Sequence, residues 1–137
     1  MEFIKLTREM FASGRPFAQG EVRIWLKEFA PKELLPDTKN LKEIKAENGM
    51  LIVAHSESGN DHAIEVMDRP DKPYSTTAQR LIDSTNELIA ELRIHEESKL
   101  IHHRANDNHK AYLLPVGEYI CRIDTEYTPE GYRRVAD

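Results

Sequence analysis

The chain has 137 residues, one cysteine, a net charge of −5 and a mean hydropathy of −0.62. That length suits a single domain, 1–137, which can bury its own core and needs no disulfide or structural metal to fold. There is no apolar run of membrane-spanning length and no secretory h-region after Met1, and the mild acidity argues against a nucleic-acid partner. The expectation is a cytoplasmic protein with no membrane association.

In chain order, Thr7 to Ser13 reads as a short helix, capped by Thr7 and stopped by Gly14 and Pro16. Val22, Ile24 and Leu26 alternate with Arg23, Trp25 and Lys27, the period of a half-buried strand, whose apolar edge near 20–29 could pair with a second copy. Pro31 and Pro36 bracket a loop or a short turn of helix. Asn48-Gly49 lies between two apolar-patterned runs and predicts a hairpin with strands at 41–47 and 50–56, because both turn residues tolerate positive φ. A polar loop at 56–61 precedes a strand at 62–67, and 68–77, with Pro70 and Pro73, reads as loop.

Residues 76–95 fit two templates. Ala78, Leu81 and Ile82 suit one or two helical turns; from Glu87 the spacing of Leu88, Leu92 and His95 also fits a helix, while the alternation of Leu88, Ala90, Leu92 and Ile94 with charged residues favours strand. A short strand follows near 100–103, then a polar loop. Two strands flank Pro115-Val116-Gly117, and Thr128-Pro129-Glu130-Gly131 supplies a last turn. Turn signals at roughly ten-residue spacing indicate a mainly β or α+β fold, a small antiparallel sandwich or barrel with one or two short helices.

Chemistry-bearing side chains gather around the 55–65 segment: His55, Glu57, Asn60, Asp61, His62 and Glu65. His95, His102, His103 and His109 come later. Imidazoles at strand ends flanking a loop are a recurrent way to hold zinc, iron or manganese, so His55, His62 and His95 form the candidate ligand set for a divalent transition metal. Glu57 and Glu96 are the candidate acid–base groups, and Asn60, Asp61 and His109 candidate contacts for a ligand or partner. Most histidines, however, are plain surface or core groups. The chain has no paired Cys-x-x-Cys, His-Glu-x-x-His helix, phosphate-binding glycine loop or nucleophile elbow. Cys121, flanked by Tyr119, Ile120 and Ile123, reads as a core thiol.

Two stretches resemble a family of small bacterial and bacteriophage (prophage) proteins. The first is Ala54 to Glu65, where the family has a Gly-His-x-His-like loop between strands. The second runs from His95-Glu96-Glu97 through His109 and Leu114-Pro115-Val116-Gly117-Glu118-Tyr119 to Glu126-Tyr127-Thr128-Pro129-Glu130. Asn60 stands where the family tends to carry its first histidine, while His62 and His95 match. The resemblance implies a β-rich accessory protein with no assigned activity. More loosely, Pro115-x-Gly117 resembles the second motif of the cupin barrel, with Ile120 at the position of its histidine.

The leading expectation is thus an accessory or binding protein of phage type, acting through a protein partner or a small ligand. The alternative is a metal-dependent enzyme on a small cupin-like barrel using His55, His62 and His95. Whether the chain is an enzyme, and whether it forms a homo-oligomer, the sequence leaves open.

Overall fold

The computed structural model describes residues 3–36, 38–54, 61–102, 111–128 and 131–134. The elements are β1 (Phe3–Lys5), α1 (Arg8–Phe11), β2 (Phe17–Gln19), β3 (Val22–Leu26), three 3₁₀ turns (Lys27–Phe29, Lys32–Leu34, Thr38–Asn40), β4 (Leu41–Ile44), β5 (Met50–Ala54), β6 (His62–Glu65), β7 (Ala78–Asp83), β8 (Asn86–Ile94), β9 (Ser98–His102), β10 (Ala111–Leu114), β11 (Gly117–Ile123), β12 (Thr125–Thr128) and β13 (Gly131–Arg134). One sheet runs β1-β10-β9-β6-β5 and a second β2-β3-β11-β8-β7-β4, while β12 and β13 form a separate hairpin. The β1–β10 pair is parallel; the other ladders among the described residues are antiparallel.

The two larger sheets bury a common core. Leu51, Val53, Ile64, Leu100 and Leu114 from the first meet Val22, Ile24, Leu92, Ile94 and Tyr119 from the second in one apolar cluster. This is the sandwich that the alternating pattern predicts. Phe11, from the short helix, packs edge-on against Phe17 and Tyr119 and closes one side of the core. Cys121 lies in the same cluster, where burial pushes its thiol up to about 12, so it is a protonated, inert core residue.

β3 departs from its expected half-burial. Trp25 points away from the main core yet is only 5% exposed, because it packs with Ile120 and Leu34, the last brought over it by the 3₁₀ segment. The strand is covered on both faces and hydrogen-bonded on both sides, to β2 and β11. It therefore offers no edge to a second copy.

The Asn-Gly turn forms, with Asn48 at φ 53° and Gly49 at φ 74°, and Glu47 and Met50 exchange both backbone hydrogen bonds at 2.9 Å. The predicted hairpin around it does not extend. β4 pairs with β7 and β5 with β6, in different sheets, so the turn carries the chain across the sandwich. Pro115-Val116-Gly117 does the same between β10 and β11. The ambiguous stretch resolves as a β7–β8 hairpin, in which Asp83 Oδ1 accepts hydrogen bonds from the Thr85 amide (2.8 Å) and hydroxyl (2.6 Å).

Candidate functional site

His62 opens β6 and is fully buried. Its partners come from the opposite sheet. The β2–β3 connection is two residues long, with Gly20 at φ 57° in the position that such a turn reserves for glycine. The turn tucks Gln19 and Glu21, each 2% exposed, against the other sheet. Gln19 Nε2 donates to the Leu100 carbonyl at 3.3 Å, so its Oε1 faces His62 Nδ1 at 2.8 Å, and that nitrogen donates. His62 Nε2 lies 3.2 Å from Glu21 Oε2. Tyr112 adds a hydroxyl hydrogen bond to the Ala18 carbonyl at 2.9 Å. The cluster is a polar clasp that ties β2, an edge of its own sheet, to the facing sheet. Both His62 nitrogens are engaged by protein groups, and in this arrangement neither offers a lone pair to a metal.

Of the other predicted residues that the structure describes, His95 and Glu96 lie away from His62. His95 follows β8 in the second sheet, stacks on Tyr74 with ring centroids 3.8 Å apart, and bonds Gln79 Oε1 through Nε2 at 2.7 Å. Burial, helped by the nearby Arg93 charge, lowers its pKa and favours the neutral ring. Glu96 is gripped by Arg69 through two hydrogen bonds of 2.5 and 3.1 Å beside a cleft of about 530 Å³. The Arg69 bonds hold its carboxyl below the ordinary value, so it stays ionised and is a poor proton donor near neutral pH. Asp61 is half-buried just ahead of β6. His102 ends β9 in register with His62. His55, Glu57, Asn60, His103 and His109 lie outside the described residues. Among the described residues no group of three or more His, Cys, Asp or Glu side chains is placed to hold a metal ion.

At the other end of β3 the molecule is open. A cleft of about 760 Å³ runs between the start of α1, the 3₁₀ segment and the β10–β11 turn. Its floor is the buried Leu6, Leu26 and Tyr119, and its lip carries Leu35 and Val116, which are 41% and 65% exposed. The turn is fixed from within, because the Tyr119 hydroxyl donates to the Pro115 carbonyl at 2.7 Å. This volume falls in the range of small-molecule sites, and its floor is apolar, as theirs usually are.

Charges ring the mouth in pairs. Arg8 bonds Glu28 through both guanidinium positions, at 2.7 and 2.9 Å. Lys27 bridges Glu91 at 2.7 Å and Glu118 at 3.1 Å. Glu91 is buried beneath the rim, which by itself would raise its pKa, but the hydrogen bonds from Lys27 and Arg93 outweigh burial and hold it below its ordinary value. Lys5 stands 3.8 Å from Glu97.

The histidine-centred reading missed this cleft. Its residues come from three separated segments and are ordinary apolar and charged types, so nothing in their local spacing marks them. The one usable signal was Pro115-Val116-Gly117, which places a valine at a turn apex, where an apolar side chain has no core to enter. Compared with protein-family models, with curated proteins and with solved structures, the chain matches none.

Proposed function

We propose that this chain is a non-catalytic binding protein, an accessory protein of phage or prophage type, and that the cleft beside the β10–β11 turn takes a small ligand with an apolar body. The observation that carries this reading is the solvent-open apolar cleft whose lip keeps Leu35 and Val116 exposed. Exposed apolar groups beside a concave apolar floor gain most from a ligand that covers both. The phage-type assignment rests on the resemblance of the His62 and Leu114–Tyr119 stretches alone. The metal-enzyme alternative has no such support among the described residues, since His62 is committed to Gln19 and Glu21 and Glu96 is committed to Arg69.

The test is titration with the neutral fluorophore N-phenyl-1-naphthylamine, which brightens in apolar surroundings. Saturable binding to the wild type, weakened at least tenfold by Val116→Asp, supports the reading. A signal that is absent, or the same in both proteins, overturns it.

A further inference from the structure

The mouth of the cleft distinguishes between classes of apolar ligand. Both carboxylates that line it, Glu28 and Glu118, already face cations. Three of its cations are also matched: Arg8 by Glu28, Lys27 by Glu91 and Glu118, and Lys5 by Glu97. Lys32 is different. It starts the second 3₁₀ turn, is exposed, lines the cleft, and its ammonium has no ion-pair partner among the described residues. The cleft therefore joins an apolar floor to one unanswered positive charge, in a chain that is acidic overall. An ammonium at the edge of an apolar surface attracts an anion more strongly than it would in bulk water, because the surface displaces solvent from one side.

Resting on the binding reading above, we propose that the ligand is an amphiphilic monocarboxylate, an acyl chain lying on Leu6, Leu26, Tyr119 and Val116 with its carboxylate at Lys32. A single free charge selects a single negative head. A neutral chain would leave Lys32 unanswered, and a cationic one would be repelled. The flexible lysine stem suits a head group that approaches from solvent, since its point charge sets no fixed angle of approach.

Displacement of N-phenyl-1-naphthylamine from the full chain tests this, with decanoate, decanol and decyltrimethylammonium as competitors, each below its micelle threshold. The expected result is decanoate displacing the probe at a concentration at least fivefold lower than decanol, with decyltrimethylammonium weakest. Lys32→Glu should remove the preference for decanoate, and Lys32→Ala should reduce it; melting curves check that both variants are folded. Equal displacement by decanoate and decanol, or an unchanged preference in both Lys32 variants, overturns the proposal while leaving the apolar binding reading intact. Failure of the probe to bind the wild type at all refutes both.

Discussion

The two ends of β3 bury a carboxylate in opposite ways. At the β2–β3 turn, Glu21 meets the His62 ring, which the Gln19 amide holds from its other side, and the resulting clasp excludes water from all three side chains. At the far end, Glu91 is equally buried but is answered by Lys27 and Arg93, whose side chains remain 34% and 38% exposed. Short, rigid partners make a seal. Long, solvated partners make a mouth whose charges can exchange with those of a ligand, because an ion pair that keeps contact with water can be rearranged at little cost. On the proposed binding reading, one end serves stability and the other recognition.

The largest expected effect is at the seal. His62→Ala leaves a buried carboxylate and amide facing a void, and should cost about 3 kcal/mol in urea unfolding. The double variant His62→Leu with Glu21→Leu should regain part of that loss, since the buried carboxylate is gone and only Gln19 Oε1 is left without its His62 donor. Probe binding in the cleft should be unaffected in the double variant. A His62→Ala loss below about 0.5 kcal/mol would place the clasp among ordinary surface interactions and erase the contrast.

Val116→Asp makes the reverse case at the open end. With its side chain largely in solvent, the change should alter stability by less than about 0.5 kcal/mol, while lowering apolar probe affinity at least tenfold, about 1.4 kcal/mol. A large stability loss would mean that the lip belongs to the core.

A smaller effect is expected between the two sheets. Gly49 holds φ 74°, so Gly49→Val should cost about 1 kcal/mol through backbone strain, read from thermal unfolding. Its Cβ would find only the Val66 carbonyl oxygen at 3.9 Å, so a markedly larger loss would point to a packing role that the geometry does not predict.

The mildest effect is a pH dependence. The folded-state pKa of Glu91 lies below its ordinary value of 4.5. Its contribution is therefore fully present above about pH 4.5 and is lost as the pH falls through the lower folded value. Stability measured from pH 6 downwards should drop along this limb in the wild type, and Glu91→Gln should flatten it. A limb of unchanged slope would show that Lys27 and Arg93 contribute nothing selective for the ionised form.

The β class, most strand positions and the Asn48-Gly49 and Pro115–Gly117 turns were legible in the sequence, because alternation and turn chemistry are set within a few residues. The candidate site was legible only in part. His62 stood out as an imidazole beside a loop, but its role as a clasp depends on Gln19 and Glu21, which reach it only when the sheets stack. Where the chain extends and where it reverses follows from local sequence, since φ preference and side-chain period are local properties. Tertiary structure alone decided which strands are neighbours. The runs on either side of Asn48-Gly49 part into separate sheets, Trp25 is buried by a 3₁₀ segment, and the cleft is assembled from three distant segments. Sheet partners are chosen by the apolar area that stacking the whole sandwich removes from water, a sum over distant residues that no short stretch of sequence contains.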